Sequence, residues 1–195
     1  MITILSGSPR KNSNTLRVAN ALKHMIEGNY EETVNIVDFY GFDIPSANAG
    51  IVSIDTLSPW QLSMFESMSA SGLVFVLTPE YNWFPSAEII QTIHAMGGAQ
   101  FAAMWNNKVF ATCGTSNGRG GRMPAIQLGY AINKIISVFN FNSMVSAKMF
   151  ESQFTDKVLN EDGSSMGNQE YMNGLKVFAD YNLNMAKKWK NMIDH

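Results

Sequence analysis

The chain has 195 residues, of which 46% are hydrophobic and 15% are charged, and its formal net charge is -2. This length fits one globular domain over residues 1–195, and the composition excludes a disordered chain and a coiled coil. The near-neutral charge gives no electrostatic reason to expect nucleic acid or an anionic membrane as partner.

Cysteine content and the N-terminal segment indicate the compartment. The single cysteine, Cys113, excludes an internal disulfide, suits a reducing compartment and fits a small core residue better than a nucleophile. The chain opens on an apolar run without a basic region, and no run approaches the ~20 apolar residues of a membrane helix. We therefore expect a cytoplasmic protein without a signal peptide or membrane span. No histidine or cysteine cluster has metal-ligand spacing, so no metal is expected.

Five short apolar runs predict buried strands. Near-continuous apolarity over four or five residues is typical of a parallel strand that is covered on both faces. The runs are 2–5, 34–37, 73–77, 109–113 and 144–147.

Helical spacing of apolar residues fills the intervals between these runs. Gly28 favours the end of the first helix, and Pro85 and Gly97 bound the third. The last helix is predicted over 171–192. The inward positions are expected to be Val18, Leu22, Met25 and Ile26; Leu62, Phe65 and Met68; Ile89, Ile90 and Ile93; Ile126, Tyr130, Asn133 and Ile136; and Leu175, Phe178 and Leu183.

Strand and helix alternate five times, which predicts an α/β fold with a doubly wound parallel sheet and helices on both faces. Ligands of such sheets bind beyond the carboxyl ends of the strands, where the strand order reverses. The loops after the first, third and fourth strands are therefore the candidate binding loops.

The loop after the first strand, 6–15, has the composition of a phosphate site. Gly7 permits a tight turn, Lys11 adds positive charge, and the following helix offers unpaired N–H groups. The alternative is that these polar residues serve only as N-caps of the following helix, but a helix needs only one N-cap residue. Neither the P-loop nor the dinucleotide fingerprint is present. The candidate phosphate ligands are Ser8, Arg10, Ser13, Asn14 and Thr15.

Three motifs in chain order resemble the NADPH-dependent FMN reductase family, which includes azoreductases and quinone, chromate and flavin reductases. They are Gly7-Ser8-Pro9-Arg10 with Ser13-Asn14-Thr15, then Thr78-Pro79-Glu80-Tyr81-Asn82, and Thr115-Ser116-Asn117-Gly118-Arg119-Gly120-Gly121. The resemblance implies a flavodoxin-like, five-stranded parallel sheet of order 2-1-3-4-5. It also implies FMN as cofactor, NADPH or NADH as donor, a small-molecule acceptor, a ping-pong cycle of hydride transfer, and a homodimer or homotetramer.

The resemblance also assigns roles to residues. Because the flavin carries the chemistry, no catalytic side chain is expected. The candidate phosphate ligands would hold the FMN phosphate. Pro79, Glu80, Tyr81 and Asn82 would line one edge of the isoalloxazine, in part through backbone N–H groups. Thr115, Ser116, Gly118 and Arg119 would close over the ring or the ribityl chain.

The sequence departs from the family pattern after the Tyr-Asn pair. The family usually has a glycine there, whereas this chain has Trp83 followed by Phe84, in a loop one residue shorter. Two interpretations stay open for this aromatic pair. The two side chains wall the flavin face or grip an aromatic acceptor, or they pack in a subunit interface, where aromatic residues are enriched. The sequence leaves the acceptor and the choice between NADPH and NADH open.

Three other functions are compatible with parts of the sequence. The run 114–118 fits the Gly-x-Ser-x-Gly elbow of serine hydrolases, with Ser116 as nucleophile, but the only later histidine is the final residue, His195. A second alternative is an electron carrier resembling flavodoxin, although such carriers tend to be strongly acidic. A third is a degenerate member of the family in which Trp83 fills the flavin site.

Overall fold

The computed structural model describes residues 1–46 and 49–193, and its centre is a parallel sheet. Its strands are β1 (Ile2–Ser6), β2 (Val34–Asp38), β3 (Leu73–Pro79), β4 (Val109–Thr115), β5 (Met144–Val145) and β6 (Phe150–Ser152). The order is β2-β1-β3-β4-β5, with β6 also beside β4, and every pair is parallel. The predicted α/β class and strand order are confirmed.

The fifth predicted strand differs from the prediction of one segment over 144–147. β5 pairs with the start of β4, and β6 pairs with its end, so the described sheet has six strands instead of five. The backbone N–H of Ser146 still bonds to Phe110, but the Ser146 hydroxyl then accepts from the N–H of Lys148 at 3.2 Å. This side-chain turn interrupts the ladder, because Ser residues offer the backbone a local alternative to strand pairing.

Helices cover both faces of the sheet. They are α1 (Asn14–Asn29), α2 (Pro59–Ser69), α3 (Ala87–Met96), α4 (Ala102–Trp105), α5 (Arg122–Phe139), α6 (Thr155–Val158) and α7 (Gln169–Ile193). Three of the helices begin at a serine N-cap whose hydroxyl accepts a first-turn N–H. These caps are Ser13 for α1, Ser58 for α2 and Ser86 for α3. Short 3₁₀ turns lie at Phe39–Gly41, Ile54–Thr56 and Ala99–Phe101.

Alternation along the strands divides the core into two layers. Ile4 of β1 and Phe75 of β3 face α1 and α7, whereas Leu5 and Val76 face α2, α3 and α5. Because both faces of the sheet are covered, the strands are apolar almost without interruption. The inward positions predicted for α1, α3 and α7 are buried at Val18, Leu22, Ile26, Ile89, Ile93, Leu175, Phe178 and Leu183, while Met25 and Ile90 are partly buried.

The predicted inward faces of α2 and α5 are wrong in part. In α2, Met68 is buried as expected, but Leu62 is exposed and Met64 takes its place in the core. In α5, Ile126, Tyr130 and Asn133 are exposed and Ile136 is partly buried, whereas Ala125, Leu128, Gly129 and Ile132 are buried. The buried face of α5 includes Gly129, where an added Cβ would be in ordinary van der Waals contact with Val145 at 3.5 Å.

No helix in the described ranges, 1–46 and 49–193, is long and apolar enough to cross a membrane.

Candidate functional site

The three candidate binding loops meet at one edge of the sheet. β1, β3 and β4 are neighbours, so the loops that follow them leave from adjacent carboxyl ends. β1 lies between β2 and β3, which makes the carboxyl end of β1 the point where the strand order reverses. This is the position at which doubly wound sheets bind their ligands.

The first loop is held close to β3 by Gly7. Its N–H donates to Leu77 O at 2.9 Å, and its carbonyl accepts from the Ser86 hydroxyl at 2.6 Å. A Cβ on Gly7 would lie 2.6 Å from Leu77 O and 2.2 Å from Ile89, so only glycine fits here. Ser8 follows and is buried. The tight turn thus directs the loop across the carboxyl end of β1 into α1.

The N-terminus of α1 faces this edge with free backbone donors. Ser13 is the N-cap, and its hydroxyl accepts from Leu16 N at 3.1 Å while its carbonyl accepts from Arg17 N. Among the residues that the structure describes, nothing accepts from the N–H groups of Asn14 and Thr15. Two unpaired N–H groups at the positive end of a 16-residue helix form an anion site suited to a phosphate.

Two residues that were predicted to bind the cofactor, Thr15 and Thr115, are hydrogen-bonded to each other in the protein interior. The hydroxyls of Thr15 and Thr115 lie 3.0 Å apart, and both side chains are buried. Asn14 donates from Nδ2 to Asn117 Oδ1 at 2.6 Å, which links the first loop to the fourth. The Thr15 and Thr115 side chains therefore join α1 to β4, and Asn14 bridges two loops at the surface.

The loop after β3 is a tight hairpin. Tyr81 N donates to Phe84 O at 2.9 Å, and Phe84 N donates back to Tyr81 O at 3.0 Å. Asn82 and Trp83 between them have φ values of 51° and 71°, which defines a type I′ turn. Glu80 N donates to Thr115 O at 2.8 Å, so the N–H groups of Glu80 and Tyr81 are engaged. Within the described chain, no acceptor bonds the N–H groups of Asn82 and Trp83.

Glu80 joins the loop after β3 to the glycine-rich loop after β4. Its carboxylate accepts from the buried N–H of Gly121, the residue that precedes α5. Gly121 has φ of 93°, and a Cβ on the neighbouring Gly114 would lie 1.9 Å from Gly121 O. The close approach of two backbones explains both glycines. The Glu80 side chain thus fixes where the loop after β4 ends.

A segment that the sequence analysis did not assign to the site supports the loop after β4. Ser116 N donates to Ser152 O at 2.8 Å, and Phe154 N donates to Gly118 O at 3.1 Å. The Ser152 hydroxyl lies 2.7 Å from the hydroxyl of Tyr171, whose pKa is raised by burial. Hydrogen bonds between backbones carry no residue-type signal, so the role of β6 was not predictable from the sequence. Asn117 was detectable, because it lies inside the recognised motif.

The charged candidates occupy the outer rim. The Arg10 guanidinium lies 5.0 Å from the centre of the Tyr81 ring, a cation–π contact that connects the first loop to the hairpin after β3. Arg10 and Arg119 are both exposed. Both arginines belong to loops at this edge of the sheet, where positive charge favours an anionic ligand.

The candidate nucleophiles near this edge, Ser116 and Cys113, have no catalytic partner among the described residues. Burial raises the pKa of the Cys113 thiol, which keeps it protonated in the core. The Ser116 hydroxyl accepts from Gly118 N at 3.3 Å, and no hydrogen bond joins it to a histidine in the described ranges. His24 and His94 are exposed on their helices, and His195 lies outside the described residues. No group of three or more His, Cys, Asp or Glu side chains in those ranges could hold a metal ion.

The residues at this edge fit FMN. The unpaired N–H groups at the start of α1 are donors of the kind that a phosphate accepts from, and those at the tip of the hairpin after β3 are donors of the kind that the carbonyls of a flat ring accept from. In the loop after β4, Gly114 and Gly121 bring two backbone segments together, and the side chains of Asn117 and Arg119 are exposed. Backbone N–H donors, together with the hydroxyl and amide groups of these loops, suit the carbonyls and nitrogens of a flavin ring.

Comparison with solved structures finds the same fold in flavoproteins. The NAD(P)H:(acceptor) oxidoreductase FerB from Paracoccus denitrificans is 19% identical with a TM-score of 0.67, over 94% of this chain and 97% of that one. A flavodoxin from the domain Archaea is 12% identical with a TM-score of 0.51, over 97% and 99%. The azoreductase AzrA is 16% identical with a TM-score of 0.52, over 96% and 99%. At these identities the likeness shows a flavodoxin-like fold.

Among curated proteins, none matches this chain significantly. The sequence model of the NADPH-dependent FMN reductase family, in contrast, matches residues 1–151, which include all three binding loops. Membership in this family assigns FMN as the cofactor and a nicotinamide nucleotide as the electron donor. The chain belongs to the NADPH-dependent FMN reductase family and is an NAD(P)H-dependent flavin oxidoreductase.

Proposed function

We propose that this protein passes electrons from NADPH or NADH to flavin, quinone, azo or similar small acceptors in a ping-pong cycle. The observation that carries the proposal is the convergence of three binding loops on the free N–H groups of α1, at the point where the strand order reverses. Bound FMN would supply the two-electron carrier between nicotinamide and acceptor.

Each binding loop would contact a different part of FMN. The first turn of α1 and the loop before it would hold the phosphate, with Arg10 adding charge from the rim. The hairpin after β3 would present the N–H groups of Asn82 and Trp83 to the ring edge, while Glu80 keeps the loop after β4 in place. The residues proposed to contact FMN are Ser8, Arg10, Ser13, Asn14, Thr15, Pro79, Glu80, Tyr81, Asn82, Thr115, Ser116, Gly118 and Arg119. The hydroxyls of Thr15 and Thr115 act from beneath, through the backbone that they fix.

The overall reaction is balanced without a protein acid or base. With a quinone, one NADPH and one proton yield NADP⁺ and hydroquinone, so two electrons and two protons reach the acceptor. The protein's role would be to place the nicotinamide and then the acceptor on the same exposed face of the flavin ring, in an orientation that allows transfer. Parallel double-reciprocal plots would support this sequence of binding, and intersecting plots would contradict it.

The first test is the visible absorption spectrum of the purified protein, before and after addition of FMN and then NADPH without oxygen. We expect bands near ~450 nm that bleach with NADPH, since the cofactor carries the chemistry. A yellow protein that does not turn over with any acceptor would indicate an electron carrier. A colourless protein that takes up no FMN would contradict the proposal and favour a degenerate site.

Oligomeric state and location complete the proposal. We expect a homodimer or homotetramer that acts on small molecules in the cytoplasm. Exposed apolar residues on α5, namely Met123, Ile126 and Tyr130, support self-association.

A further inference from the structure

Trp83 occupies a backbone conformation that its own side chain disfavours. It is the second central residue of the type I′ turn, with φ of 71°. This position selects glycine or asparagine, because a bulky residue at positive φ brings its Cβ against the backbone. Asn82 at the first central position obeys the preference, whereas Trp83 does not. A glycine here would relieve the strain without changing the turn.

The fold makes no use of the indole. Trp83 is 70% exposed and belongs to neither core cluster. In the part of the chain that the structure describes, no aromatic ring pairs with it and no acceptor bonds its Nε1. Its presence therefore costs stability twice, through backbone strain and through apolar surface left in water.

The turn that carries this indole is anchored at its base beside the other candidate binding loops. The base of the hairpin is fixed to β4 by the bond from Glu80 N to Thr115 O, and Arg10 lies against the ring of Tyr81. Phe84, which is 62% exposed, closes the hairpin next to Trp83. Two aromatic side chains thus project from the one loop whose free N–H groups are proposed to meet the flavin ring.

We propose that Trp83, with Phe84 beside it, sets the acceptor specificity of this protein toward planar aromatic molecules. Backbone strain at a functional site, when no packing or hydrogen bond of the strained side chain offsets it, indicates that the side chain serves binding. An indole stacks on a planar acceptor through offset or edge contacts, which a compact inorganic acceptor cannot make. The inference rests on the proposed function, since the acceptor must occupy the face beside the flavin ring.

The test compares 1,4-naphthoquinone with ferricyanide as acceptors for the FMN-loaded protein. One NADPH and one proton reduce one naphthoquinone, whereas one NADPH reduces two ferricyanide ions and releases one proton. In Trp83→Gly we expect the ratio of kcat/KM for naphthoquinone to that for ferricyanide to fall at least tenfold. The same substitution should raise the unfolding temperature of the FMN-free protein, because it removes the strain.

Two further variants separate the aromatic ring from the strain. Trp83→Phe keeps both and should keep the ratio within about threefold of the wild type. Trp83→Leu keeps the strain without the ring, so the ratio should fall while the unfolding temperature does not rise.

Three results would overturn the inference. An active Trp83→Gly enzyme with an unchanged ratio would show that the indole does not select the acceptor. A smaller oligomer in Trp83→Gly, measured by light scattering, would place the indole in a subunit interface. A wild-type protein that takes up no FMN would remove the proposed function together with the inference, which distinguishes that failure from the other two.

Discussion

Lys108 is a buried cation without a carboxylate partner among the described residues. It is 3% exposed and lies just before β4. Its Nζ donates to the carbonyls of Ser69 at 3.3 Å and Ser71 at 2.8 Å, at the C-terminus of α2. Such carbonyls carry the negative end of the helix dipole, which favours a cation there. Burial nevertheless lowers the pKa of Lys108 from 10.5 to about 8.

This lowered pKa predicts a stability that rises with pH. Because the pKa in the folded state lies below the value of 10.5 in the unfolded chain, the unfolded state binds more protons between about pH 8 and 10.5. The free energy of unfolding of the wild type, relative to Lys108→Met, should therefore increase by about 1–3 kcal/mol across this window. Urea unfolding at several pH values measures it.

The exposed Lys134 offers the matched control. The free energy of unfolding of the wild type, relative to Lys134→Met, should not increase across the same pH window. A difference between wild type and Lys108→Met that is the same at pH 7.5 and 10.5 would show that Lys108 titrates alike in the folded and unfolded states.

Residue types in the loops revealed the site, but the partners of each side chain could not be predicted. Ser13 was predicted to bind phosphate, and it is also the N-cap of α1, which is the role that the alternative interpretation of this loop gave to its polar residues. Thr15 and Thr115 are 100 residues apart, and nothing in the sequence indicates that their hydroxyls bond to each other. Hydroxyl groups serve ligands, caps and neighbours equally well, so only the fold decides between these uses.

At the scale of elements, the Glu80 carboxylate makes one of the bonds that join the loops of the site. The Glu80 carboxylate accepts from Gly121 N at the start of α5, where a buried donor without a partner would be costly. The same carboxylate lies against Gly120, since a Cβ there would approach its Oε2 to 2.5 Å. The loop after β3 and the helix that follows β4 are therefore positioned together.

Removal of this carboxylate should loosen both loops. We expect Glu80→Ala to lower the free energy of unfolding by about 1–2 kcal/mol, because the Gly121 N–H loses its acceptor. FMN affinity should fall about tenfold, which corresponds to about 1.4 kcal/mol. Glu80→Gln retains an acceptor oxygen and should recover most of both losses. Urea unfolding and FMN fluorescence titration provide the two measurements.

Glu66→Ala, at an exposed position of α2, controls for the loss of a negative charge. Should Glu80→Ala match Glu66→Ala in both measurements, the carboxylate would have no part in holding the loops.

The inward face of a helix could be predicted where only one side of the helix is apolar, and could not where both sides are. α1 and α7 have polar outer faces, so their inward residues follow from spacing alone. α5 has apolar residues on both sides, and the larger ones, Ile126 and Tyr130, were predicted to be inside. The structure buries Ala125, Leu128, Gly129 and Ile132 instead. Because both sides of α5 carry large apolar residues, periodicity alone does not identify the side that faces the sheet.

For the whole molecule, this outward face of α5 is the observation that favours self-association. Met123, Ile126 and Tyr130 recur at helical spacing and are 44%, 40% and 81% exposed. Contiguous apolar residues on the surface of a small protein mark interaction sites, and tyrosine is enriched in them. The α/β class followed from alternation along the chain and the strand order from the family resemblance, whereas an interface is not accessible in this way, since a core face and an interface face have the same composition.

Tyr130→Asp should therefore split the expected oligomer. The wild type is expected to have the mass of two or four chains in sedimentation equilibrium, and the variant that of a smaller species, because a buried carboxylate without a partner costs several kcal/mol. Tyr181 is 40% exposed on α7, and Tyr181→Asp is the matched control that should keep the wild-type mass. Circular dichroism checks that each variant is folded. A wild type with the mass of one chain, or a Tyr130→Asp variant with unchanged mass, would contradict an interface on α5, and the exposed residues there would then be ordinary surface.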